Sequence, residues 1–199
     1  MFKYLIFLFL TWPTAFTYAT SDAIFQTNEH CAAWKTRKTM FLFKQLEPVG
    51  INCNIQTKML QTEKGLQLQA SFPIKSFNSG EPDRDAAVFD ILQGKLQEDL
   101  TYLSRPLTVE SLQGSEGKLD IQGTLTLGGK TYPLTFTTHY QKKDTQISFH
   151  GLAKTSYTAL GIEPPKVLGG LVANVHDTLE LHFLFQSNKI QDFPAPQNK

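Results

Sequence analysis

The chain has 199 residues, 41% of them hydrophobic and 19% charged, with a formal net charge of +1. That length suits one domain able to bury a core of its own. The near-neutral balance removes the electrostatic case for nucleic acid or a strongly anionic surface as partner. Fifteen Phe give enough apolar aromatic bulk for either a dense core or a wide apolar interior.

The first elements concern export. Lys3 precedes the apolar run Tyr4–Leu10, and small residues follow at Thr17 and Ala19. This pattern predicts a secretory signal peptide over residues 1–19, cut after Ala19. The apolar run is too short to span a bilayer, and Pro13 follows it closely. No cysteine stands at the cleavage point for lipid attachment, since Cys31 lies well downstream. The expectation is a soluble exported protein, periplasmic where the host has an outer membrane and secreted otherwise. In that compartment Cys31 and Cys53 are expected to form a disulfide. The other reading is that Cys53, on a face shared with Ile51 and Ile55, is a small core residue. No His is placed by sequence to activate either thiol for catalysis.

The mature chain opens with little periodicity from Thr20 to Trp34. From Thr36 the pattern becomes strand-like, with Met40, Leu42 and Lys44 on one face and Phe41, Phe43 and Gln45 on the other. Val49, Ile51, Cys53 and Ile55 alternate in a second strand, and Leu66 to Ile74 in a third after the Lys64-Gly65 turn. Ser76–Pro82 is turn chemistry. Residues Asp83–Leu92 then read as a short helix, capped by Asp83, carrying Val88, Phe89 and Leu92 at helical spacing and stopped at Gly94. A polar connection, Lys95–Ser104, leads to a strand bearing Leu107, Val109 and Leu112.

The most informative stretch is Lys118–Thr155. Gly128-Gly129 between alternating runs signals a two-residue hairpin turn, which needs φ > 0 at both positions. That turn sets Leu127 against Lys130, Leu125 against Tyr132, Gly123 against Leu134 and Ile121 against Phe136, so the apolar partners share one face. A four-residue loop, Gln141–Asp144, then sets Phe136 against Phe149 and Thr138 against Ile147. After a turn-rich segment, Ser156–Gly170, the last strand covers Val175–Gln186, and residues 187–199 read as a flexible tail. The sum is an all-β domain over residues 20–186 with eight antiparallel strands and one short helix. Eight is the number at which a closed barrel holds side chains or one small ligand.

The segment Gly123-Thr-Leu-Thr-Leu-Gly-Gly-Lys-Thr-Tyr-Pro-Leu134 resembles the G-x-L-T-L-H-G-x-T-x-P-[VL] hairpin of the YceI-like family. Gly128 stands where many members carry His. Asp83-Arg84-Asp85 with Phe89 is similar to the family's segment leading into a short helix. Ser156–Pro165 followed by Val175–Leu181 is similar to the closing loop and final strand of some members. The resemblance covers about Leu66 to Phe185. It implies a lipocalin-like eight-stranded barrel enclosing a long-chain amphiphile, such as a polyisoprenoid or a fatty-acid derivative.

The remaining chemistry is thin. The register above places His139 against Gln146 and His150 against Thr135, two unrelated surface histidines. His176 and His182 share a face but stand roughly 20 Å apart along one strand. Asp83-Arg84-Asp85 reads as a helix start with a local ion pair, with a paired-carboxylate site as the alternative. No nucleophile elbow, zinc spacing, P-loop or dinucleotide fingerprint occurs in the sequence. No cofactor, metal or catalytic residue is therefore expected.

The pocket candidates are Phe72, Phe89, Leu92, Phe136, Phe149 and Phe183, each with core packing as its alternative, and the short helix is a candidate lid. The expected function is non-enzymatic carriage of a long-chain lipid, with transient contact to a membrane or a lipid enzyme. The oligomeric state is open, a dimer included. The rivals are a filled barrel acting through its surface as a partner-binding or stress-related module, and, further off, a lipid hydrolase.

Overall fold

The computed structural model describes residues 24–26, 28–41, 43–107, 112, 114–167 and 173–194. The expected signal peptide and the last five residues lie outside that set. Eleven strands and one α-helix follow in the order β1 (Cys31–Met40), β2 (Lys44–Leu46), β3 (Val49–Asn52), β4 (Gln56–Thr62), β5 (Gly65–Pro73), α1 (Pro82–Ile91), β6 (Asp99–Ser104), β7 (Glu116–Leu127), β8 (Lys130–Lys143), β9 (Gln146–Thr155), β10 (Lys166–Val167) and β11 (Ala173–Gln186). All strands belong to one antiparallel sheet ordered β2-β1-β11-β9-β8-β7-β6-β5-β4, with β3 on β1 and β10 on β11. The segment from β3 into β4 carries the wall round from β1 to β5. A bridge from Lys58 to Gln191 covers the outer edge of β4. The result is a barrel-like wall of eleven strands, three more than the eight expected. Two of the extra strands, β2 and β10, are only three and two residues long.

The β7–β8 hairpin has the expected register, Leu127↔Lys130 through Ile121↔Phe136. Gly128 and Gly129 adopt φ of 58° and 71°, where side chains other than glycine are strained. The β8–β9 hairpin differs from expectation. Lys143 pairs with Gln146 across a two-residue turn in which Asp144 takes φ 55°, a conformation Asp tolerates better than most residues. Phe149 therefore faces Tyr140, Thr138 faces Gly151 and His139 faces His150. The pairing has slipped by four residues, an even number, so every apolar residue stays on its expected face.

Other boundaries move for identifiable reasons. β1 starts at Cys31, not Thr36. Cys31, Ala32, Ala33 and Trp34 are all buried, so both faces are covered and no alternation marks the strand. β4 is polar in sequence, with only Thr57 and Met59 buried among its seven residues. The stretch expected as a polar connection contains β6, which turns Leu100, Tyr102 and Ser104 inward. Leu107 makes only an isolated bridge to Leu66, and Val109 lies outside the described residues. The segment expected to fray forms a 3-10 turn over Ser187–Lys189, then buries Ile190 and joins Gln191 to β4.

Helix α1 begins at Pro82, an N1 position proline fits well, so the cap position falls on Glu81 rather than Asp83. Asp85 instead accepts bonds from the Ser79 backbone N–H at 2.9 Å and the Ser79 hydroxyl at 2.6 Å. Gln93, at φ 57°, ends the helix one residue ahead of the expected stop at Gly94. Gly94 serves a close approach, because a Cβ there would overlap the Phe89 ring.

Candidate functional site

Because successive side chains alternate across a strand, each strand of the barrel sends every second residue inward. Those inward residues do not fill the space. They enclose a cavity of about 410 Å³, inside the range typical of small-molecule sites. β5 contributes Leu68, Ala70 and Phe72 to its wall, β8 contributes Leu134 and Phe136, and β11 contributes Leu179, Phe183 and Phe185. Tyr102 of β6 and Trp34 of β1 complete the aromatic part. At the end where β1, β5, β7 and β9 finish, Val88, Ile91 and Leu92 of α1 and Tyr157, Leu160 and Ile162 of the following loop close over the mouth.

The aromatic wall is positioned by glycine. Phe136 meets Tyr102 edge-on at 5.3 Å and Phe183 at 5.0 Å, and Phe183 stacks on Phe185 at 4.3 Å. A Cβ at Gly151 would overlap the Phe183 ring. At Gly123 it would fall 2.6 Å from the Tyr102 hydroxyl and collide with the Leu103 carbonyl. The absence of a side chain at Gly123 lets that hydroxyl reach and donate to the Ile121 carbonyl at 2.9 Å. Burial pushes the Tyr102 phenol above its ordinary range, so it remains a neutral donor.

Thr36 and Ser104 are also paired, whereas the buried Trp34 Nε1 has no hydrogen-bond partner among the described residues. Thr36 Oγ1 donates to the Thr178 carbonyl at 3.0 Å, and Ser104 Oγ donates to the Arg105 carbonyl at 2.8 Å while accepting from the Leu68 N–H at 2.8 Å. A ligand in the cavity therefore meets mainly hydrocarbon and aromatic faces, with the Trp34 indole N–H left as an unpartnered donor. Among the described residues the Lys, Arg, Asp and Glu side chains of the lining stand at the mouth, where Lys38, Glu81, Asp83 and Arg84 form the rim. Arg84 lies 3.7 Å from Glu81.

Of the six residues singled out in the sequence, Phe72, Leu92, Phe136 and Phe183 stand together in this wall. Phe149 and Phe89 do not. The slip of the β8–β9 pairing carries Phe149 away from Phe136 towards the far end, where it lies 5.8 Å from Phe193. Phe89 sits on the flank of α1, against Gly94, while Val88 and Leu92 face the cavity. Tyr102 and Trp34 escape a reading by periodicity because their strands do. Asp83 and Asp85 are not paired: Asp83 lines the mouth, and Asp85 is committed to Ser79.

The far end is polar and tied. Cys31 and Cys53 form a disulfide. Beside it His30 is buried, its Nδ1 accepting from the Gln186 N–H at 3.0 Å and its Nε2 within 2.9 Å of the Thr57 hydroxyl. Burial, then the nearby Lys189 charge, lowers its pKa to about 4. The outer histidines need correction too. His139 and His150 are cross-strand partners, and His150 stacks on His182 at 6.5 Å. Burial, then the neighbouring His139, pushes His150 down, and burial likewise lowers His182 despite the Glu180 carboxylate 3.3 Å away. Among the described residues the one close cluster of potential metal ligands is Glu29, Cys31 and Cys53, whose sulfurs are already joined to each other.

Comparison with known proteins matches residues 34–186 to the YceI-like domain, extending the likeness back through the N-terminal strands. The fold is similar to BcnA of Burkholderia cenocepacia, at a TM-score of 0.59 and 15% identity, covering 78% of this chain and 95% of that one. It is also similar to a polyisoprenoid binding domain from Saccharophagus degradans implicated in plant cell wall breakdown, at a TM-score of 0.62 and 13% identity, covering 83% and 94%. The Campylobacter jejuni YceI protein gives a TM-score of 0.54 at 15% identity, covering 75% and 85%. No curated protein matches the chain.

Proposed function

For this chain, which belongs to the YceI-like family, we propose that the barrel carries a long-chain amphiphile, a polyisoprenoid or fatty-acid derivative, with its tail in the cavity. The observation that carries the proposal is the cavity of about 410 Å³ walled mainly by aliphatic and aromatic side chains, with the Tyr102 and Thr36 hydroxyls already paired. Burial of an apolar tail is worth ~0.8 kcal/mol per CH₂, so affinity needs no polar motif in the wall. Lys38 and Arg84 at the mouth offer a polar head group cationic partners. The polyisoprenoid binding domain of similar fold supports the same class of ligand. The reading is of an exported, non-enzymatic carrier, delivered by residues 1–19 to the periplasm or the medium.

Native mass spectrometry of protein purified from a membrane-containing host tests it. The expected result is a defined long-chain adduct, lost on organic extraction and restored by adding the extracted lipid. Consistent absence of an adduct, together with failure of extracted protein to take up an apolar fluorophore, would overturn it.

A further inference from the structure

We propose that the β1–β2 hairpin tip, with Leu96 on the other side of the mouth, is a docking surface that inserts into a phospholipid bilayer. Apolar side chains exposed side by side, rimmed by polar residues, are the mark of a protein or membrane contact. Here Phe43 is 84% exposed, Phe41 57% and Leu96 82%, and all three lie at the mouth end of the barrel. Phe41 holds φ 47°, an uncommon conformation for a bulky residue, in a turn closed by the bond from the Phe43 N–H to the Met40 carbonyl at 3.2 Å. The turn thus keeps its aromatic rings off the barrel.

The tip is continuous with the cavity's own rim. Lys38 and Pro48, on the two arms leading to it, line the mouth, as does Val175 opposite Lys38. Leu96 sits beside the β7–β8 turn, where the Gln97 side chain accepts from the Gly128 N–H at 2.8 Å. In sheet order β1 and β6 are separated by β11, β9, β8 and β7, so the tip and Leu96 stand on different sides of the opening. Separate apolar points around one rim do not make the continuous patch a second copy of the chain would need. A bilayer can receive each point independently, with the mouth facing the acyl region.

Local charge fits the same partner. Lys35 and Arg37, further down β1, are paired with Glu47. Lys38 and Lys44, flanking the tip, have no acidic partner among the described residues. They are placed at headgroup depth once the rings insert. With a net charge of +1 the chain has no long-range attraction to the surface, so the rings carry the binding and the lysines add preference for anionic lipid.

Docking is independent of what the cavity holds, so its failure and that of the carrier reading are separate results. The test is flotation of the purified protein with vesicles of phosphatidylcholine and phosphatidylglycerol at 7:3. Wild type is expected to float. Phe41→Asn with Phe43→Ser, chosen because Asn accepts the Phe41 backbone conformation, should cut the bound fraction at least tenfold while the lipid adduct is retained. Lys44→Glu should weaken binding to the mixed vesicles and leave binding to pure phosphatidylcholine unchanged. As a second readout, Phe43→Trp should show blue-shifted emission on vesicle addition and quenching by brominated acyl chains. Wild type that stays unbound, a double variant that floats as well as wild type, or a lipid-free dimer abolished by that double variant would each overturn the proposal.

Discussion

Substituting Ala70 by Phe separates a hollow barrel from a filled one. Ala70 is 1% exposed and lies on β5 between the inward residues Leu68 and Phe72, opposite Thr57 of β4 and Tyr102 of β6. It is a small member of an otherwise bulky stretch of wall, so an added ring projects into the cavity. That ring takes the room of about four methylenes of a bound tail, which at ~0.8 kcal/mol each is ~3 kcal/mol. The dissociation constant of a long-chain fluorescent lipid should therefore rise by about 100-fold. Stability should stay level or rise by about 1 kcal/mol, as in other cavity-filling changes. In a packed interior the same ring would overpack and cost about 1–3 kcal/mol, with lipid binding already absent. Urea unfolding and fluorescence titration of the same samples read both quantities, and Leu103→Phe on the outer face of β6 is the control that should move neither. A variant destabilised by more than 2 kcal/mol whose lipid affinity is unchanged would refute the reasoning.

Gly123→Ala should cost about 3 kcal/mol by denaturant titration, because its methyl group meets the Leu103 carbonyl and displaces the Tyr102 hydroxyl from its acceptor; a cost under 0.5 kcal/mol would contradict the packing described. Reducing the Cys31–Cys53 bridge, which joins residues 22 apart, should lower stability by about 3 kcal/mol, seen as an earlier urea midpoint with dithiothreitol. His30 predicts acid sensitivity with a definite sign. Its folded pKa, about 4, lies below the ordinary 6.5, so the unfolded chain binds the extra proton. Stability should be full above pH 6.5 and fall towards pH 4, by on the order of 2 kcal/mol after allowance for solvent near the ring. His30→Gln should flatten that slope, leaving the smaller contribution of the same sign from His150 and His182.

Legibility in the sequence follows what each signal physically constrains. Gly128-Gly129 fixes both a turn and a register, so the β7–β8 hairpin and the inward faces of Ile121, Leu125, Leu134 and Phe136 are readable residue by residue. The next turn is not, because the polar run Gln141–Asp144 admits more than one solution. A slip of four leaves the alternation untouched, so period-2 reasoning keeps the faces while misplacing the partners, Phe149 and both surface histidines among them. Faces alone suffice for Phe72, Phe136 and Phe183, which line the cavity. They cannot recover Trp34, whose strand is buried on both sides, or Tyr102, whose short strand reads as a polar link. Hollowness was the least legible property, since an inward Phe in a solid core and one in a cavity wall leave the same trace in sequence.

The two ends of the barrel divide stability from binding. At the far end the disulfide joins the start of β1 to the chain leaving β3. His30 bridges β4 and β11 there, and the Ser187 hydroxyl accepts from the Ile147 N–H at 2.9 Å to lock β9 to the segment after β11. Among the described residues no ladder joins β4 to β1, and these ties hold the two edges of the sheet at that end. At the mouth α1 is held more sparsely: it buries no residue fully, and its flanks rest on the Asp85–Ser79 bonds and on Phe89 against Gly94. Local opening costs least where few apolar groups are fully buried. On the carrier reading proposed above, α1 is the element expected to lift while the bridge and the His30 network hold the other end. The proposed carriage would require this arrangement, because a cavity whose entrance also held the fold together could not admit an acyl chain without unfolding its own wall.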